Sequence, residues 1–378
     1  MNILINALGI SDSGGIAVYK NLLEGLIENS SSTFTIVINK NPELAKINSS
    51  YKKNKKLYFI STELKSNIRR LIYENFFFKT LCKDRNIDLI YNFTGSSQYF
   101  TKIPQLVKVH NLSFYSKNLD SVYFKKFLFW SWIKEIYLKR LIFKLMLSNV
   151  NNIEVQSLHV KNCISDFVNI SNKNFYVKSD VNLNNEVFKS IKNYDFSKKI
   201  TFLYVVGPHF HYLHKNLQDF TSAMKILKDT GINFEIDITL TYEELMTSES
   251  WDVSLNSLTN FHGYISDPAR LSNLYADNTI LISTSIIESL GLHVIEAIKN
   301  GIISIAPSEK YADVVYGQIR YKYDLFNPES LNKVIRLILM NENPSDNFFI
   351  TDQQSYLKKN ESGKIFNLDN IFDQTIAS

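Results

Sequence analysis

The sequence predicts an α/β protein built as two doubly wound domains, each a parallel sheet covered by helices. Three observations carry this reading. Three stretches repeat one grammar of apolar strand, polar loop, amphipathic helix and second strand. The length of 378 residues exceeds what one core usually organises. The polar, asparagine-rich segment SDVNLNNEVFKSIKNYDFSKK separates the first such stretch from the other two. The expected division is a first domain over 1–185, a second over 186–350, and a tail over 351–378 that returns to the first.

The elements follow in order. NILINAL is a buried-type strand, GISDSGG its loop, IAVYKNLLEGLIE an amphipathic helix and FTIVIN the next strand. Beyond residue 200, ITFLYVV leads through GPHFHYLHK to the helix NLQDFTSAMKILKDTG and the strand FEIDITL. The third unit runs from NTILIST through SIIESLG to LHVIEAIKNG and IISIAP. In open parallel sheets the ligand sits beyond the carboxyl ends of the strands, so all three loops fall where chemistry is expected.

The third loop holds two glutamates, Glu288 and Glu296. On one continuous helix they would lie ~12 Å apart along the axis and ~80° apart around it, poor geometry for joint work. A helix starting near Leu292 resolves this. Val294, Ile295 and Ile298 then face the sheet, Gly301 closes the helix, and Glu288 stays on the loop above. N–H groups around Gly291 and Leu292 suit a phosphate, and the carboxylates beside it suit hydroxyls, which together describe a nucleotide sugar. The alternative is a helix whose acids only complement its dipole.

The second loop adds Lys215, placed to neutralise a diphosphate or simply solvated, and the histidines His209, His211 and His214. Their irregular spacing and the lack of a carboxylate in that loop argue against a metal, and none is expected. The first loop ends in Gly14 and Gly15 at a helix start, a weak cofactor motif without the third glycine of a dinucleotide fingerprint. His110 follows the strand-like PQLVKV at its carboxyl end.

Composition bounds the rest. Apolar residues at 45% are ample for two cores. A net charge of +5 fits an anionic ligand or an anionic membrane surface, and no nucleic-acid partner is expected. Cys82 and Cys163 have no metal-type spacing and read as reduced packing residues. MNILINALGI lacks the features of a signal peptide, and no apolar run reaches the ~20 residues of a membrane span. A cytoplasmic protein, peripheral at most on the inner face of the cell membrane, is expected.

NFHGYISDPARLSNLYADNTILISTSIIESLGLHVIEAIKNG resembles the nucleotide-sugar segment of retaining family-four (group 1) glycosyltransferases of the GT-B fold. The signature is a Glu, seven residues and a second Glu, preceded here by Phe261, Gly263, Ile265, Asp267, Leu271, Leu274 and Tyr275. GGIAVY, VHN and HKN fall in the family's order, so the resemblance extends from residue 1 to about 330. It implies two Rossmann-like domains facing across a cleft, the first binding the acceptor and the second the nucleotide sugar. It implies that Glu296 holds the ribose hydroxyls, Glu288 the donor sugar, and Lys215 the diphosphate, with the amides of Gly291 and Leu292 assisting. Gly14 and Gly15 would lie against the donor phosphates and His110 beside the transferring sugar. A UDP- or GDP-linked donor, an oligosaccharide or lipid-linked acceptor, and no cofactor or metal are implied. The alternatives are a silent sugar-nucleotide-binding partner or a GT-B epimerase or phosphorylase. The sequence departs from the family's pattern at Pro208, Leu290, His293 and Asn111.

The segment 121–150 reads as one long helix, rich in aromatics and carrying six lysines and arginines against Glu135 alone. Two readings fit it: a basic amphipathic helix docked on an anionic membrane, or a core helix whose lysines reach to solvent.

Overall fold

The computed structural model describes residues 1–10, 13–29, 31–180, 187–207, 210–265, 267–340, 347–362 and 368–378. The chain forms two compact units. One comprises Met1–Ser116, Lys126–Asn182 and Lys364–Ser378, the other Lys117–Lys125 and Leu183–Gly363.

The first unit is a seven-stranded sheet of β1 (Asn2–Ala7), β2 (Thr33–Asn39), β3 (Leu57–Thr62), β4 (Leu89–Asn92), β5 (Gln105–Val109), β6 (Asn152–Val155) and β7 (Asn174–Val177). Its order is β3-β2-β1-β4-β5-β6-β7, every pair parallel. β1 and β5 are buried from end to end or nearly so, as a sheet covered on both faces requires. The last helix, Leu368–Ala377, buries Ile371 and Phe372 completely in the core under β1, β2 and β4. The preceding helix, Asn347–Ser362, stays with the second unit, where Ile350 joins the core and Gln354 donates to the Ile298 carbonyl at 2.9 Å.

The second unit holds β8 (Ile200–Tyr204), β9 (Phe234–Ile238), β10 (Thr259–Phe261), β11 (Thr279–Ile282), β12 (Ile303–Pro307) and β13 (Tyr321–Tyr323). The order is β10-β9-β8-β11-β12-β13, again wholly parallel. Phe202, Ile236, Ile280 and Ile305 fill its core against Phe220 of the helix Leu217–Lys228 and Leu331 of the helix Pro328–Leu339.

The predicted long helix over 121–150 is a correction. It is broken after Lys125 by Phe127, which adopts φ 55° and is 92% exposed. A bulky residue in the left-handed region is rare and cannot continue a helix. Lys117–Lys125 belongs to the second unit, and Lys126–Asn182 belongs to the first.

Candidate active site

In each sheet the strand order reverses once, between β1 and β4 in the first and between β8 and β11 in the second. Ligands of open α/β sheets bind beyond the carboxyl ends of the strands at such a point. In the second unit the loop after β8 carries Lys215 and the loop after β11 carries Glu288.

The two loops are tied together by their backbones. Lys215 ends a short turn, Leu213–Lys215, and Asn216 follows in the left-handed conformation, which asparagine tolerates better than most residues. The Lys215 carbonyl accepts from the Tyr204 hydroxyl at 3.1 Å and the Thr284 hydroxyl at 2.9 Å. The His214 carbonyl accepts from the Ile286 N–H at 2.7 Å. Lys215 Nζ then donates to Glu288 Oε1 at 2.8 Å, with the side chains 24% and 14% exposed. His209 and Pro208 lie outside the described residues.

Burial pushes the Glu288 carboxyl up, but Lys215, His293 and the Ser285 side chain outweigh it and bring it down to about 2. Burial lowers His293 to about 4, with Lys215 adding to that effect and Glu288 opposing it. The His293 Nε2 lies 2.9 Å from Ser283 Oγ. A pH dependence follows. In the unfolded chain His293 takes up a proton near its ordinary 6.5, whereas the folded protein resists until about 4. The folded state therefore binds fewer protons across that window, and stability falls as pH falls through it, by about 3 kcal/mol. Glu288 acts in the next window down, its stabilisation present above 4.5 and lost toward about 2. Urea unfolding at stepped pH should show His293→Gln losing less stability than the parent from pH 6.5 to 4. Parallel curves would show that His293 does not carry this effect.

The helix after the third loop is Leu292–Lys299, beginning at the residue predicted. Gly291 caps it at φ 58°, and a Cβ there would lie 1.8 Å from Tyr316 Oη. Only glycine lets the chain pass so close to that buried ring. Val294 and Ile295 make the first internal bonds, donating to the Gly291 carbonyl at 3.0 and 3.3 Å. The N–H groups of Leu292 and His293 lie ahead of them, at the positive end of the helix. Among the described residues the Tyr316 hydroxyl is buried without a hydrogen-bond partner. Glu296 sits one turn in, accepting from the Tyr275 hydroxyl at 3.2 Å; burial raises its carboxyl, partly opposed by that bond.

The other predicted residues belong to the first unit. Gly14 and Gly15 lie in the first turn of the helix Ser13–Asn29, which begins before the expected loop ends. His110 follows β5 directly. Its Nε2 lies 2.7 Å from the Phe93 carbonyl, which can only accept, so Nε2 carries the proton. Nδ1 then faces the Gln156 amide at 3.2 Å, and Asp180 lies 3.6 Å away. Burial lowers His110, Asp180 opposes and Lys108 adds to the fall. Contacts at both ring nitrogens fix the orientation of the His110 ring. Beneath it Lys108 is fully buried, paired with Glu154 at 2.7 Å and with Asp180.

Sequence reasoning did not single out His293 as a working part of the pair, nor Tyr311 and Tyr316. Tyr311 donates to the Ser285 carbonyl at 2.5 Å and holds the start of the Glu288 loop. The only signal was a pair of tyrosines five apart in the helix Lys310–Tyr316, a common core pattern.

Residues 186–354 match the family model of glycosyl transferases group 1. None of the curated proteins matches the chain. Among solved structures, the lipopolysaccharide outer core galactosyltransferase WaaB in its apo form is 16% identical, with 99% of each chain covered and a TM-score of 0.62. Sucrose-phosphate synthase from Thermosynechococcus elongatus is 13% identical, covering 99% of this chain and 97% of its own, at 0.63. The pneumococcal O-GlcNAc transferase GtfA, in complex with UDP and GlcNAc, is 10% identical over 100% and 98%, at 0.58. Residues 186–354 thus match the group 1 glycosyl transferase family, and the chain as a whole has the GT-B fold of these solved structures.

Proposed function

We propose that the protein transfers a sugar, with retention at the anomeric carbon, from a nucleotide-sugar donor to a hydroxyl of a lipid-linked oligosaccharide. The product belongs to surface-polysaccharide synthesis of the O-antigen or capsule kind, made at the inner face of the cell membrane. The observation that carries the donor half is the Lys215–Glu288 pair set beside the Gly291 cap of the Leu292 helix, at the switch point of the second sheet.

Lys215 and the N–H groups at Leu292 and His293 stabilise the charge that grows on the departing diphosphate. Glu296 accepts from the ribose hydroxyls in place of, or together with, Tyr275. Glu288 orients a sugar hydroxyl. The bond from the anomeric carbon to the phosphate oxygen breaks, the bond to the acceptor oxygen forms on the same face, and the acceptor's proton passes to the leaving phosphate. No side-chain base is required. Lys215 with the helix end does the work a divalent cation would otherwise do, so turnover is expected without metal. The first unit holds the acceptor.

The UDP bound in one similar structure makes UDP-linked sugars the first donors to test, ahead of GDP-linked ones. The test is a panel of nucleotide sugars by thermal shift, then a transfer assay in excess chelator with an oligosaccharide on a polyprenyl diphosphate. Saturation at ~100 times Kd adds ~2.7 kcal/mol of stability. A glycosylated lipid whose new linkage keeps the donor's anomeric configuration supports the proposal. Inverted product, free sugar or an epimerised donor would contradict it.

A further inference from the structure

We infer that the helical segment 67–84 forms, together with 129–148, one lipid-docking face of the first unit, and that its partner is an anionic bilayer. The inference rests on the reading of 121–150 as membrane-facing and extends it to a segment outside that region.

The helix Leu138–Ser148 turns an apolar stripe outward. Leu138, Leu141, Ile142 and Leu145, at i, i+3, i+4 and i+7, are all exposed, while Met146 and Leu147 on the other side are buried. A helix folded for the core would show the opposite arrangement. The segment 67–84 does the same. Ile68, Leu71 and Ile72 are exposed, and Phe76 continues the line at 64% exposure, while Phe78, Leu81 and Cys82 are buried. Both segments contain a π-helical stretch, Tyr73–Phe77 and Ile133–Tyr137, which shifts the register along the helix.

The loop between residues 95 and 100 joins the two. Tyr99 N–H donates to Asn75 at 2.8 Å on one side. Ser97 donates to the Met146 carbonyl at 2.9 Å and Asn149 to the Gln98 carbonyl at 3.0 Å on the other. Exposed Phe100 lies 5.7 Å from Phe76, so aromatic surface continues from the first segment onto the loop. Trp130, 80% exposed, extends it beyond Phe129.

Charge selects the occupant. The exposed charges of the two segments are Arg69, Lys79, Lys83, Lys134, Lys139 and Lys144 against the acids Asp84 and Glu135. Exposed apolar and aromatic side chains on segments with an excess of cations match an anionic headgroup layer over acyl chains. A second copy would bring the same cations face to face. Among the described residues no helix is long and apolar enough to cross a membrane, so the contact is interfacial.

The test is co-sedimentation of the full chain with phosphatidylglycerol–phosphatidylcholine vesicles and with pure phosphatidylcholine. The parent should bind the mixed vesicles, weaken with salt, and bind pure phosphatidylcholine at least about tenfold less well. Ile72→Ser with Phe76→Ser, and separately Trp130→Ser with Leu141→Ser, should each cut binding by about tenfold or more. Thermal shift with the nucleotide donor should be unchanged, which shows that the variants fold. If only the Trp130 pair loses binding, the inference fails and the single-segment reading stands. If the parent ignores anionic vesicles, both fail. If the parent forms a concentration-dependent dimer that the Phe76 pair dissolves, the face is a self-association surface and the inference is overturned.

Discussion

Lys215→Ala is expected to lower transfer by ~10²–10³, the loss of ~3–4 kcal/mol of transition-state stabilisation that follows removal of one preorganised charge from a leaving group. Lys215 is also the partner of Glu288, only 14% exposed, so the variant leaves a carboxylate held in a poor environment. Breaking a buried pair costs ~3–5 kcal/mol and an exposed one under ~1, so this half-buried pair should cost about 2. Lys215→Ala therefore loses both stability and rate. Lys215→Ala with Glu288→Gln should regain most of the stability and none of the rate. Recovery of rate in the double variant would show that the lysine serves only to neutralise Glu288. Near-normal rate in the single variant would show that another group holds the diphosphate.

Gly291→Ala is expected to cost ~2–5 kcal/mol. The left-handed backbone alone costs an alanine ~1–2 kcal/mol, and forcing atoms into a filled core adds ~1–3. The new methyl would meet the hydroxyl of Tyr316 at 1.8 Å and its ring at 2.6 Å, and Tyr316 is fully buried. Gly231 supplies the control. It has φ 75° in the same unit, and nothing lies within 4 Å of its missing Cβ. Gly231→Ala should show the backbone cost without the clash. Urea midpoints of the two variants separate the terms, and equal losses would remove the packing argument. Gly291→Ala should also lose donor binding, because relieving the clash moves the helix end; Gly231→Ala should keep it.

Much of this was legible beforehand, for identifiable reasons. The buried strands of parallel sheets are continuous apolar runs, and each of the three repeated units lies where its pattern placed it. The start of the helix at Leu292 followed from the awkward spacing of Glu288 and Glu296 on any longer helix, with Gly291 ready to cap it. The bond from Lys215 to Glu288 was not legible, because it joins residues 73 apart through sheet order. Neither was the break at Phe127, where no glycine or proline marks the turn. The segment 67–84 defeated pattern reading for another reason. NIRRLIYENFFFKTLCKD is apolar on several faces, and only the packing of Phe78 and Leu81 decides that Ile72 and Phe76 point outward. Tyr311 and Tyr316 read as core residues, which they are; their hydroxyls meet the Glu288 loop and Gly291 only because the chain after β12 returns to that corner.

The pairing of Lys215 with Glu288 also sharpens the split between the two glutamates. A carboxylate bonded to the lysine competes with a diphosphate for it, so its removal should not weaken a bare nucleotide. Titration calorimetry with UDP, run on the parent, Glu288→Ala and Glu296→Ala, tests the donor site most directly. Glu296→Ala is expected to weaken UDP by ~1.5–3 kcal/mol, the scale of hydrogen bonds to a charged group, while Glu288→Ala binds UDP as well as the parent or more tightly and fails only in turnover with the full donor. If Glu288→Ala loses UDP affinity as much as Glu296→Ala does, or if neither changes it, the donor does not lie on these residues in the way proposed.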